Sequence, residues 1–100
     1  MVGYCVYILS NDSYGVYVGQ TRNLVARLNA HNRGLVVSSR SGCPWKLVCA
    51  VQLSSRKDSL VMESICKRLY SGKWGYSALA NKVKSDMVIL QGHYRWVWVN

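Results

Sequence analysis

Acid is scarce in this chain: 100 residues hold four carboxylates, Asp12, Asp58, Asp86 and a single glutamate, Glu63, against thirteen Lys and Arg. A two-metal active site needs several clustered carboxylates and is not expected from that count, whereas one Mg²⁺ or Mn²⁺ that keeps waters can be held by one. Proline occurs once and phenylalanine not at all, and no linker, internal repeat or low-complexity segment interrupts the sequence. The four cysteines, at 5, 43, 49 and 66, contain no CxxC, and His31 and His93 lie far apart. Structural-zinc spacing is therefore missing, and buried reduced thiols are expected. No run is long, apolar and uncharged enough to span a bilayer. The opening MVGYCVYILSND has no basic segment ahead of its apolar run, so an intracellular protein, cytoplasmic or nuclear, is expected, a viral protein acting in its host cell included.

What remains is a packed, basic domain. Half the residues are hydrophobic and the net charge is +9, which fits one core spanning 1–100 and a polyanionic partner. Nucleic acid is the better partner than an anionic membrane, because the basic residues are scattered along the chain and not gathered beside an apolar segment.

Tyr4 to Leu9 reads as a strand, followed by a turn and a second short strand, Val16 to Val18. A turn centred on Asp12 would set Tyr7 directly opposite Tyr17, both rings on one face. Thr21 or Asn23 can cap a helix running to about Asn32, with Gly34 as a left-handed stop. Leu24 and Leu28 would form its buried stripe, with Arg27 and His31 one turn apart on the edge. Leu35 to Pro44 reads as a polar loop, and Lys46 to Leu53 as an apolar central strand. Ser55 caps a second helix with an expected stripe of Val61, Met62, Ile65, Cys66 and Leu69, Glu63 off that stripe and Gly72 at its end. A short helix over about Ser77 to Lys84 and two strands from Met87 to Val99, joined at Gln91-Gly92, complete the order β-β-α-β-α-α-β-β. The fold class is α+β: a small antiparallel or mixed sheet flanked by helices.

Cys5-Val6-Tyr7, then Tyr17-Val18-Gly19, then Arg27 and His31 on a helix, Pro44-Trp45-Lys46 before a strand and Glu63 on the next helix together resemble the GIY-YIG endonuclease family. The likeness covers Tyr4 to about Trp74 and leaves 87–100 outside it. The loop SSRSGCPWKLV and the segment HNRG are most similar to the nuclease module of structure-selective enzymes that cut branched DNA with a scaffold partner, and to stand-alone bacterial and viral members. Cys5 stands where the family has glycine, which implies a local change of packing. The zinc-binding domain that follows in the branched-DNA enzymes has no counterpart within these residues, which leaves partner and substrate preference open.

The resemblance implies metal-dependent hydrolysis of DNA phosphodiesters in repair or recombination. Glu63 would hold one Mg²⁺ or Mn²⁺, Arg27 would donate to the phosphate as charge builds, Tyr7 and Tyr17 would align water and phosphate, and Gly19 would let the backbone approach the substrate. His31 would bond a tyrosine or share the proton. A tyrosine of pKa about 10 is roughly 0.1% phenolate at pH 7, whereas a histidine of pKa about 6.5 is mostly neutral, so either can be the base. Arg22, Arg33, Arg40, Lys46 and Lys67 are the candidate phosphate contacts, with Arg68 and Lys73 beside them, and Asn81 is a candidate neighbour of the metal.

Taken singly, these residues have plain structural explanations. Glu63 can be a surface partner of Lys67 at i+4, and the two tyrosines can be cross-strand packing. A non-catalytic DNA-binding module and a nuclease subunit active only with a scaffold are the competing functions. The carboxyl-terminal strand carries Trp96 and Trp98 on one face and Val97 and Val99 on the other, so a homodimer or a scaffold protein is a candidate cover for it.

Overall fold

The computed structural model describes residues 3–11, 15–42, 44–70, 76–90 and 95–98, with backbone alone at 42, 76, 87–90 and 95–98. Strand β1 spans Tyr4–Asn11 and β2 Gly15–Thr21, followed by helix α1 over Leu24–Asn32 and a 3-10 helix over Val37–Gly42. Strand β3 covers Lys46–Leu53, helices α2 and α3 cover Arg56–Leu69 and Tyr76–Leu90, and β4 covers Arg95–Trp98. The strands form one antiparallel sheet in the order β2-β1-β3-β4. The class is α+β, and among the described residues no helix is long and apolar enough to cross a membrane.

Alternation along the strands divides the core in two. Val6, Ile8, Val18 and Val51 turn toward α2 and α3 and pack with Met62, Cys66, Tyr70, Leu79 and Val83. Cys5, Tyr7 and Leu9 turn the other way and pack with Trp45, Ala50 and the half-buried Tyr17, Leu24 and Leu28. The helix starts follow their caps: Asn23 Oδ1 accepts from Ala26 N at 3.1 Å, and Ser55 Oγ accepts from Asp58 N at 3.1 Å. Gly34, at φ 72°, takes the left-handed conformation just past α1.

Several expectations are corrected. Tyr7 pairs with Gly19 and Tyr17 with Leu9, so the hairpin is offset by two residues from the expected register. An even offset keeps both tyrosines on one face. The physical reason lies in bulk, because the ring of Tyr7 needs a residue without a side chain opposite it. The polar loop holds a 3-10 turn. On α2, Val61 and Leu69 are exposed, and the buried row is Ser59, Met62 and Cys66, with Tyr70 beyond the end. Polar partners rotate the helix: Ser59 bonds Gln20 on β2, and Tyr70 bonds Asp86 on α3. That helix ends at Leu69 with Tyr70 as its cap, and Gly72 lies outside the described residues.

Met87–Leu90 continue α3 instead of forming a strand. Four apolar residues fit either period, and here the buried Leu79 and Val83, one turn apart, set the helical phase that carries on. Of the two carboxyl-terminal strands expected, one is present, pairing Arg95–Trp98 with β3. The side chains of Trp96 and Trp98, and with them the dimer or scaffold surface expected there, lie outside the described residues. Cys5, Cys49 and Cys66 are buried free thiols, and Cys43 is outside the described residues. Burial pushes the Cys5 thiol up to about 11 and that of Cys66 to about 12, so both are inert as thiolates near neutrality.

Candidate active site

Beneath α1 the buried groups are polar and bonded in series. Tyr7 Oη lies 2.7 Å from His31 Nε2, and His31 Nδ1 lies 2.5 Å from Ser39 Oγ. Ser39 Oγ donates in turn to the Val36 carbonyl at 3.5 Å, so its lone pairs face the histidine. Assigned from that end, Nδ1–H donates to Ser39, Nε2 accepts, and the Tyr7 hydroxyl donates to it. The Arg27 guanidinium lies near enough to the Tyr7 oxygen and, more weakly, to that of Tyr17 for its charge to act on both. Tyr7, His31 and Ser39 thus form one run of hydrogen bonds, with the Arg27 charge beside its Tyr7 end.

Burial and charge keep every member of that run in its ordinary protonation state. Burial pushes Tyr7 up to about 12, with the nearby Tyr17 and Glu63 acting in the same sense and the Arg27 donor opposing them. Burial, then the charge of Arg27, lowers His31. Its imidazole is neutral at pH 7, as its role as acceptor from Tyr7 requires.

The two tyrosines differ in access. Tyr7 is 1% exposed. Tyr17 is half-buried, stacks on Tyr7 with centroids 6.3 Å apart, meets the His31 ring edge-on at 4.7 Å, and places its hydroxyl 3.3 Å from Ser38 Oγ on the solvent side. Gly19 makes the arrangement possible. A Cβ there would sit 2.5 Å from Tyr7 Oη, a distance real Cβ atoms essentially never show, and 3.1 Å from a ring carbon of Tyr17, which is tight.

The loop beyond α1 is tied down by one asparagine. Asn32 Oδ1 accepts from Trp45 N at 2.6 Å and its Nδ2 donates to the Trp45 carbonyl at 3.2 Å. The Trp45 indole N–H donates to the Ser39 carbonyl at 2.8 Å, which holds Ser39 under His31.

Glu63 stands on α2, on the other side of the edge strand β2. Gln20 Nε2 donates to its Oε1 at 3.2 Å, and Lys67 Nζ lies 3.5 Å from its Oε2. Among the described residues no three His, Cys, Asp or Glu side chains cluster as metal ligands. The donor set is a single hard carboxylate with one oxygen already facing a cation, which fits Mg²⁺ or Mn²⁺ with its own waters and phosphate oxygens.

Tyr7, Tyr17, Gly19, Arg27 and His31 come together, Glu63 is near enough for its charge to act on Tyr7, and Lys67 joins through Glu63. The other candidate contacts are dispersed. Arg22 is exposed over the Tyr4 ring at 5.3 Å, and Arg33 caps the far end of α1. Arg40 is exposed on the 3-10 helix, Lys46 is exposed opposite Ser10 at the start of β3, and Arg68 is exposed on α2. Lys73 lies outside the described residues. Asn81 is exposed on α3, about 200° around the helix from the buried Leu79, and so turns away from the sheet.

Gln20, Asn32 and Ser39 were not anticipated from sequence. Gln20 follows Gly19 directly, and strand alternation alone would have put it on the opposite face from Tyr17, toward α2. Asn32 and Ser39 had no signal beyond their closeness to His31.

A family model described as the GIY-YIG catalytic domain matches residues 3–77 of the chain. No curated protein matches it.

Proposed function

The chain belongs to the GIY-YIG family of endonuclease domains, and from that membership we propose that it is a divalent-metal-dependent endonuclease hydrolysing DNA phosphodiester bonds inside the cell. One observation carries the reading: the run Tyr7–His31–Ser39 lies against Tyr17, with the charges of Arg27 and Glu63 both acting on Tyr7. Packing alone does not call for that assembly of donors, acceptors and one carboxylate.

Arg27 is exposed, so its fork of donors is open to the non-bridging oxygens of a phosphate bound there. Glu63 would hold the divalent ion, which when bound would polarise the phosphorus and offset charge on the leaving 3′ oxygen. His31 is 0% exposed with both ring nitrogens bonded, so it cannot touch the attacking water directly. Tyr17 is the member of the site with its hydroxyl on the solvent side; having first given its own proton to solvent, it takes the proton of the attacking water on its phenolate oxygen, beside the Arg27 charge. Tyr7 and His31 act from behind, fixing Arg27 and the Tyr17 ring. As the water oxygen bonds to phosphorus, the P–O3′ bond breaks and the 3′ oxygen leaves with a proton from solvent.

The dispersed Arg22, Arg33, Arg40 and Lys46 favour backbone contacts over base reading, which supports branched DNA such as flaps, forks or junctions in repair or recombination. The test is incubation of the purified protein with labelled branched, duplex and single-stranded DNA in Mg²⁺, Mn²⁺ or EDTA. Metal-dependent cleavage, greatest on branched DNA and lost in Glu63→Gln with DNA binding kept, is expected. Equal cleavage by parent and Glu63→Gln would falsify the role of Glu63, and cleavage confined to one duplex sequence would remove the branched preference.

A further inference from the structure

The side chain of Gln20 crosses from the edge strand to α2 and bonds two residues one turn apart on it. Ser59 Oγ donates to Gln20 Oε1 at 2.8 Å, and Gln20 Nε2 donates to Glu63 Oε1 at 3.2 Å. Ser59 is 0% exposed, and its hydroxyl also approaches the Arg56 carbonyl at 2.7 Å. These partners orient the amide unambiguously. A carboxylate only accepts, so the NH₂ must face Glu63, and the hydroxyl supplies the donor that holds the amide oxygen in the opposite direction.

We infer that Gln20 is the positioning residue of Glu63, holding Oε1 so that Oε2, the oxygen facing Lys67, is offered to the cation. The inference rests on the reading of Glu63 as the metal ligand. Glutamate has three side-chain torsions, and an unrestrained carboxylate on α2 would sample several directions. One hydrogen bond from a side chain fixed at its own far end removes that freedom before the cation arrives. Ser59 acts one bond further out, through the amide, and Gln20 touches neither DNA nor the reacting atoms in this scheme.

Mn²⁺ binding to the DNA-free protein, read by electron paramagnetic resonance of the free ion, tests the assignment apart from catalysis. Gln20→Met keeps the volume and removes the donor, and it should weaken Mn²⁺ binding roughly 10-fold or more, as loss of an outer hydrogen bond to a ligand does. Ser59→Ala should weaken binding less. The double variant should be no weaker than Gln20→Met alone, because both act through one amide. In cleavage the same variants should raise the Mn²⁺ concentration for half-maximal rate and leave the rate at saturating Mn²⁺ within a few-fold. Glu63→Gln serves as the reference. Loss of binding there with parental binding in Gln20→Met overturns the positioning role alone. Parental binding in Glu63→Gln overturns the metal reading and this inference with it.

Discussion

Toward α2 and α3 the sheet buries Val6, Ile8, Val51, Leu79 and Val83, whereas toward α1 it buries Tyr7, His31 and Ser39 beside Trp45. The first set is aliphatic and gains stability from area removed from water, without fixing direction. In the second, the polar groups are held in direction by their hydrogen bonds, because an unmade bond in that interior costs about 1–3 kcal/mol. One face therefore holds the domain together and the other holds side chains in aim. The two meet at β2, where Tyr17 and Gly19 serve one face and Gln20 the other.

The sharpest way to break this division is Arg27→Ala. The substitution removes an exposed side chain and leaves the aliphatic core intact, so the fold should persist while turnover falls by two or more orders of magnitude, as loss of a transition-state donor does. DNA affinity should fall only modestly. A variant with normal turnover and a much higher dissociation constant would make Arg27 a docking residue.

A matched pair compares the faces directly. Leu79 is 0% exposed in the aliphatic core, and Leu79→Ala should cost about 2–5 kcal/mol in denaturant unfolding with cleavage per folded molecule unchanged. Ser39→Ala should do the reverse, costing about 1–3 kcal/mol by removing the hydroxyl bonded to His31 Nδ1 and slowing cleavage by more than its stability loss explains. If Leu79→Ala slows the folded enzyme as much as Ser39→Ala does, the faces are not separable.

A smaller effect should appear in the pH dependence of stability. Burial and Arg27 lower His31 in the folded protein, so as pH falls below about 6.5 the unfolded chain takes up a proton that the folded chain refuses. The stability contributed by neutral His31 is complete above that pH and is lost as pH falls from there toward the lowered folded value. Thermal melts of the parent between pH 8 and 5 should therefore decline more steeply than those of His31→Gln. Parallel declines would mean that His31 takes up a proton in the folded state as readily as in the unfolded one.

The elements of this fold were legible where local chemistry decides them. Asn23 and Ser55 cap where their side chains predict, and YCVYIL and KLVCAVQL are strands because they are β-branched, aromatic and bounded by turns. The hairpin register was not legible to the residue, since it depends on Gly19 making room for a ring ten positions or more away. The end of α3 was misread because Met87–Leu90 is apolar in any period, and only packing of Leu79 and Val83 settles it. In the site, the spacing of Tyr7, Tyr17, Arg27, His31 and Glu63 was visible along the chain. What lay hidden were Gln20, which reaches Glu63 across 43 positions, and the depth of His31, whose burial depends on a 3-10 turn closing over it.

The least effect expected, and the most diagnostic of how the cation site is shared, belongs to Lys67→Met. Lys67 is 60% exposed and its ammonium lies 3.5 Å from Glu63 Oε2, so the pair is worth little, about 0.2–1 kcal/mol. Because the ammonium occupies the side from which a divalent ion would approach, its removal should tighten Mn²⁺ binding, by roughly fivefold at most. The same substitution removes a candidate phosphate contact, so DNA affinity should weaken and the slope of log affinity against log salt should become shallower by about 0.9. The two readouts move in opposite directions only if Lys67 answers to both the carboxylate and the DNA. Unchanged Mn²⁺ affinity would mean that the ammonium does not compete for Oε2, and an unchanged salt slope would mean that Lys67 makes no phosphate contact.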